Sequence, residues 1–190
     1  LAGLAFLPVL FGWPILLMPI HIAFLELLID PTCSLMFEAQ EGEKGVMQHP
    51  PRKLTASIFD KRDLVRCLLQ GTLILTPIAY LYWFELKVHE NADQARAFAF
   101  LLLGICNIAL IVADLTNGKL DEMRILLKKR VNILLFVSVL TALFVFVRAP
   151  AVAPMFHFGI LDFEDILKVA GLGVLFFILA SALNALALRR

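Results

Sequence analysis

Long apolar runs separated by short polar stretches make up the chain, and the runs have the length of membrane spans. Residues 1–25 carry no Asp, Glu, Lys or Arg, and the apolar character continues to Phe37. A transmembrane helix needs about 20 apolar residues, so this stretch is too long for one span. It is punctuated at Gly12-Trp13-Pro14, where glycine and proline favour a turn. The pattern predicts the tail of one helix over 1–11, a tight turn, and a full helix over 15–37. Charge-free runs follow at 67–84, 97–113, 131–147 and 169–188. With their flanks they predict spans over 64–86, 97–115, 131–148 and 165–188. Pro77 predicts a kink in the first of these. The fold class expected is an all-α membrane protein, a bundle of about six transmembrane helices forming one domain over 1–190, with polar connections at 38–63 and 116–130.

Composition agrees with this pattern. Hydrophobic residues make up 61% of the 190 and the mean hydropathy is +0.86, against about half apolar in ordinary soluble domains. A net charge of +1 without blocks of like charge gives no sign of a nucleic-acid arm. Leu1 is preceded by no charged region and followed by no small-residue cleavage site, so the start does not read as a signal peptide. It reads as the interior of a hydrophobic segment, and the chain as a piece of something longer. Cys33, Cys67 and Cys106 are far apart and lie within or beside apolar runs, which suits small packing residues better than a disulfide or metal set.

Charge sets the expected orientation. Thirteen of the seventeen Lys and Arg residues fall in the two polar connections, their flanks and the C-terminal Arg189-Arg190. Only Lys87, Arg96, Arg148 and Lys168 fall on the other side. The positive-inside rule makes the richer side, with the C-terminus, cytoplasmic. Tyr80, Tyr82, Trp83, Phe84 and Trp13 gather near the outer ends, as in an interfacial aromatic belt.

Against this background Glu26 and Asp30 stand out. Both lie mid-span, and at i and i+4 they share a helix face. An acid at the bilayer centre costs roughly 2.5–3.5 kcal/mol, and a Leu there returns only about 0.3–0.6. Facing inward, two carboxylates suit a hard cation that prefers oxygen ligands. Pro31 follows directly; having no amide hydrogen, it frees a carbonyl near Leu27. Freed carbonyls beside acids coordinate ions in the broken helices of transporters. An intramembrane ion or hydrogen-bonded pair, or a proton relay, would also account for two buried acids. His21 lies five residues before Glu26 and reads as packed or hydrogen-bonded. Asn107, midway along 97–113, suits either an interhelical hydrogen bond or a cation ligand. Thr72, Thr76, Ser138, Thr141, Ser181 and Asn184 read as helix-packing residues.

The run FLELLIDPTCSLMFEAQEGEKGVMQHPPR, Phe24 to Arg52, resembles the sixth transmembrane helix and following cytoplasmic loop of cation-pumping P-type ATPases. That family places an acidic or amide residue four positions before an Asp, then a helix break, then a polar loop ending in Met-x-x-Pro-Pro-Arg. Met47 to Arg52 is similar to the last element. LVRCLLQG, ARAFAFLLLGICN and MFHFGILDFEDIL resemble the opening of the seventh helix, the eighth helix and the approach to the tenth in bacterial members, so the resemblance covers essentially the whole chain. It implies the C-terminal transmembrane region of a calcium-pump-like cation ATPase of bacterial type, from the end of the fifth helix to the tenth.

The resemblance implies that Asp30 is the central cation-ligating Asp and that Glu26 stands where animal calcium pumps have Asn. Ile29 falls where those pumps have a ligating Thr, and no acid stands near Cys106 or Asn107, where they have a Glu. One transported ion per cycle is expected, bound by Glu26, Asp30 and Asn107 and completed by ligands in the fourth and fifth helices. Ca²⁺ is the first choice of cargo, before Mg²⁺, Mn²⁺, Na⁺ or H⁺. No Asp-Lys-Thr-Gly phosphorylation motif occurs, so no catalytic residue or bound cofactor is expected in this chain; the parent would use ATP and Mg²⁺. The implied partners are the lipid bilayer, the cytoplasmic ATPase domains and the first five helices, with no nucleic acid. The implied location is a bacterial plasma membrane. A self-contained secondary transporter or channel, or a non-transporting membrane scaffold, are the alternatives that the residues alone leave open.

Overall fold

The computed structural model describes residues 2–38, 61–88, 91–116, 119–150 and 152–188. Among them are seven α-helices: α1 (Ala2–Phe11), α2 (Pro19–Glu38), α3 (Lys61–Val88), α4 (Ala92–Thr116), α5 (Leu120–Lys128), α6 (Arg130–Arg148) and α7 (Phe163–Leu188). A 3₁₀ turn spans Ala153–Phe156. Five helices, α2, α3, α4, α6 and α7, are long and apolar enough to cross a membrane, and α1 is a shorter apolar helix. The chain is therefore an all-α, multi-pass membrane domain. The Met47–Arg52 motif and the Pro50-Pro51 pair, expected to be extended, lie outside the described residues.

α4 is the hub, packed against α2, α3, α5, α6 and α7. Half of its span is buried, where no other span exceeds 22%. The reason is side-chain size: Ala95, Ala97, Ala99, Gly104, Cys106 and Ala113 are all buried, and small residues let neighbouring backbones approach in a membrane, where apolar burial gives little drive. Leu143 of α6 sits over Gly104, so that a Cβ there would lie 2.6 Å from its Cδ1. Gly173 of α7 faces Ile105 in the same way, at 2.3 Å from its Cγ2. Large apolar side chains on the outer helix faces, such as Leu134, Val174 and Ile178, remain exposed, as expected where the solvent is lipid.

Three elements differ from the sequence pattern. The expected helix over 15–37 begins at Pro19, because Gly12 turns the chain at φ +64° and residues 13–18 run as an irregular strap. Met18 is the N-cap and Pro19 takes the first helical position, where its missing amide hydrogen costs nothing. The helix break that the resemblance places after Asp30 does not occur: α2 continues through Pro31 to Glu38, as one helix to residue 37 requires. Thr32 Oγ1 donates to the Leu28 carbonyl at 2.7 Å just after the proline. The connection at 116–130 holds helix α5, with Asp121 and Glu122 in its first turn and Lys128 in its last, charges placed to complement the helix dipole. Cys106 packs in the core and Cys33 is half-buried, whereas Cys67 is exposed.

The end of the bundle that carries the strap over 13–18 is tied by side chain-to-backbone bonds. Tyr82, fully buried, donates to the Pro14 carbonyl at 2.8 Å; it is thus a strap anchor, while Tyr80, Trp83 and Phe84 stay exposed as a belt would require. Arg96 Nε donates to the Ile15 carbonyl at 2.8 Å, and the guanidinium also pairs with Asp93. The connection after α6 lies on the start of α4: the Gly159 amide donates to the Asp93 carbonyl at 2.9 Å, and a Cβ on Gly159 would meet the Gln94 backbone at 2.7 Å. Arg148 Nη1 donates to the Leu161 carbonyl at 3.2 Å. Arg96 and Arg148, two of the four basic residues outside the two polar connections, their flanks and the C-terminus, thus serve as backbone ties. Tyr82→Phe, which keeps the ring and removes one hydrogen bond, is expected to cost about 1 kcal/mol, read as a lower thermal midpoint in detergent.

Candidate cation site

α2 has two unlike faces. His21, Leu25, Thr32 and Met36 are buried, and Phe24 packs on Phe146 of α6 and Phe100 of α4, with ring centroids 3.7 and 6.0 Å apart. The opposite stripe, Ala23, Glu26, Leu27, Asp30, Pro31 and Ser34, is exposed throughout. Its spacing of three and four residues keeps it on one helix face. Glu26 and Asp30 therefore point away from the packed core of the described helices, and not into it as the inward-facing expectation had them. The apolar face of α2 claims α4 and α6, which leaves the acidic stripe outward. Neither carboxylate has a hydrogen-bond or ion-pair partner among the described residues.

Leu27 lies between them and is 75% exposed. Its carbonyl would ordinarily take the amide hydrogen of residue 31, which Pro31 lacks. The middle of α2 thus presents two carboxylates and one main-chain oxygen relieved of its helix partner on one stripe. Such a set is acceptor-only once ionised, which is the chemistry of a hard cation.

Asn107 is half-buried on α4, and its Nδ2 donates to the Leu103 carbonyl of its own helix at 2.8 Å. This fixes the amide and leaves its Oδ1 as an acceptor. No group of three or more His, Cys, Asp or Glu residues placed to hold a metal occurs among the described residues. Thr72, Thr76 and Ser138 bond carbonyls of their own helices.

A polar cluster that the sequence pattern did not single out joins three helices. Asp114 of α4 accepts from Gln70 Nε2 of α3 at 2.9 Å and from Asn184 Nδ2 of α7 at 2.8 Å, both on Oδ1. Gln70 Nε2 also donates to Asn184 Oδ1 at 3.0 Å, and Asn184 Nδ2 to the Ala113 carbonyl at 2.9 Å. Gln70 and Asn184 are 4% and 0% exposed. All four amide hydrogens are used, two of them on one oxygen of the carboxylate. Two N–H groups from two other helices meet on Asp114 Oδ1, so the cluster is a clasp between helices. Its signal was present: Asp114 is seven residues, two turns, beyond Asn107. It was hidden because the charge-free run ends at 113 and Asp114 reads as the start of a loop.

Five apolar spans define a multi-pass membrane domain, with an irregular strap leading into α2 and an acidic stripe midway along that helix. The sequence matches the family model described as cation transporting ATPase, C-terminus, over residues 14–186, and the chain belongs to that family: it is the membrane part of a cation-transporting ATPase. No individual curated protein matches it.

Proposed function

We propose that α2 supplies Glu26 and Asp30 as carboxylate ligands to the cation the parent ATPase transports, with Ca²⁺ as the preferred cargo and one ion per cycle. The observation that carries this reading is the exposed mid-span stripe. Two acids, at the eighth and twelfth of the twenty residues of α2, stand without partners among the described residues. Charges at such depth are expensive and mark ion pathways. The Leu27 carbonyl adds a neutral oxygen; Asn107, on the helix that packs against the opposite face of α2, is not counted with these three. Six to eight oxygens are needed around Ca²⁺, so helices packed on the exposed stripe complete the shell. Those helices and the ATP- and Mg²⁺-using cytoplasmic domains belong to the parent protein.

The thirteen-to-four distribution of basic residues favours a cytoplasmic C-terminus, and the resemblance favours a bacterial plasma membrane. The test is ATPase activity of the intact protein in lipid across Ca²⁺, Mg²⁺, Mn²⁺, Na⁺ and H⁺. Stimulation by Ca²⁺, with a half-saturating concentration raised about tenfold or more in Glu26→Gln, is expected. Stimulation that Glu26→Gln leaves unmoved would remove this helix from the ion site.

A further inference from the structure

His21 is a polar residue at the N-terminal end of α2 that the ion site does not use. It is fully buried. Its ring lies against Phe158 (centroids 4.6 Å apart, 21° between planes), Phe156 (6.1 Å, 16°) and Phe100 (5.7 Å, 62°). Both nitrogens have partners. The Met18 amide donates to Nδ1 at 3.1 Å, and Nε2 lies 2.7 Å from the Phe156 carbonyl. A backbone amide only donates and a carbonyl only accepts, so one form satisfies both: the neutral imidazole with its hydrogen on Nε2.

These two bonds do different things. The first closes the N-terminus of α2, since Met18 is the N-cap and His21 the third helical residue; a side chain returning to the N-cap amide fixes the first turn. The second joins α2 to a turn 135 residues away in sequence. That turn is itself held. The Phe158 amide donates to the Ala153 carbonyl at 2.9 Å, His157 adopts φ 51°, and Gly159 is bonded to Asp93 of α4. With Tyr82 and Arg96 holding the strap that leads into α2, the N-terminal end of the helix is fastened on its packed side. Glu26 lies five residues further along, about 7.5 Å down the axis at 1.5 Å per residue. A rotation or slide at His21 therefore carries directly to Glu26 and Asp30.

We infer that His21 is a positioning residue for cation binding: its Nε2 bond to the Phe156 carbonyl sets the rotation and depth of α2 and hence where Glu26 and Asp30 stand. This rests on the ion-site reading of those two acids. Two substitutions separate the bonds. In His21→Gln the side-chain amide reaches the place of Nε2 and can donate to Phe156, while the acceptor for Met18 is lost. In His21→Asn the side-chain oxygen takes the place of Nδ1 and can cap Met18, while the tie to Phe156 is lost.

The experiment measures cation-stimulated ATPase of the intact protein in lipid, using Ca²⁺ as the probe, with thermal midpoints in detergent for each variant. His21→Asn is expected to raise the half-saturating Ca²⁺ about tenfold with the maximal rate within about twofold. His21→Gln is expected to stay within about threefold of the unsubstituted protein in both. The inference is overturned if His21→Asn keeps the original half-saturation. It is equally overturned if both variants lower only the thermal midpoint or the maximal rate, since that is what a cap or packing role alone would do. Asp30→Asn in the same assay keeps the two readings apart. Unchanged stimulation in that variant would overturn the ion site, whereas a response shifted there but unmoved in His21→Asn would overturn the role of His21 alone.

Discussion

Asp30→Asn is expected to raise the half-saturating Ca²⁺ of the intact ATPase by about two orders of magnitude while leaving the membrane domain at least as stable as before. Asparagine keeps the shape and one oxygen ligand but loses the charge. Removing one member of a desolvated charge pair costs about 2–5 kcal/mol, which is roughly thirtyfold to several-thousandfold in affinity. The stability side has the opposite sign. Asp30 is exposed and makes no hydrogen bond or ion pair among the described residues, so the folded chain loses no contact when it is neutralised. The cost of holding an acid at mid-span, roughly 2.5–3.5 kcal/mol on insertion scales, is relieved. A thermal midpoint that is unchanged or raised, together with a half-saturating Ca²⁺ shifted by about two orders of magnitude, is the signature of a residue kept for binding at the expense of stability. Asp30→Glu, which retains the charge on a longer arm, is expected to fall between. A lowered midpoint with an unshifted cation response would instead make Asp30 a structural residue.

How far the sequence could take this site depends on which physical effect each feature rests on. The acidic pair was visible because a charge among leucines is conspicuous whatever surrounds it, and i, i+4 spacing puts both on one face of any helix. Which way that face points was not visible. Lipid and protein interior are about equally apolar, so Ala23 and Leu27 on the exposed stripe look the same in sequence as Leu25 and Met36 on the packed one. Pro31 cannot donate to the helix ladder and so frees a carbonyl, and the resemblance places a helix break there. Yet losing one bond does not end a helix whose other face is packed on α4 and α6, and α2 runs through. The spans were legible by length alone. The strap over 13–18 was not, because its shape is set by Tyr82 and Arg96 from helices far along the chain.

The Gln70–Asp114–Asn184 clasp shows the same limit in another form. Its members are separated by 44 and 70 residues, and nothing local in the sequence pairs them. Each looks like an isolated polar residue near the end of an apolar run, and only the packing of α3 and α7 on α4 turns them into one unit. The two halves of the chain's polar chemistry thus differ in kind. On α2 Glu26 and Asp30 have no hydrogen-bond or ion-pair partner among the described residues and face away from the packed core. On α4 Asp114 accepts two amide hydrogens through one oxygen and ties helices together.

That engagement makes Asp114→Ala the substitution with the largest expected effect on stability. It removes the acceptor shared by Gln70 Nε2 and Asn184 Nδ2. Each amide keeps one partner, Asn184 Oδ1 and the Ala113 carbonyl respectively, so each loses one bond to a charged group. Such bonds are worth about 1.5–3 kcal/mol each in water-soluble proteins. Pairwise cycles in membranes average nearer 0.6, because the unfolded helices also find partners. For two bonds converging on one oxygen among nearly buried groups, a loss of about 2–4 kcal/mol is expected. Asp114→Asn should cost less than half as much, since it keeps an oxygen in the same place and removes only the charge. The sharper test is a double-mutant cycle of Asp114→Ala with Asn184→Ala, read as unfolding free energy in detergent or bilayer. If the clasp is one cooperative unit, the double substitution costs clearly less than the two singles together, by about 1 kcal/mol or more. Strictly additive losses would mean that the two residues stabilise α4 and α7 independently and that no clasp joins them.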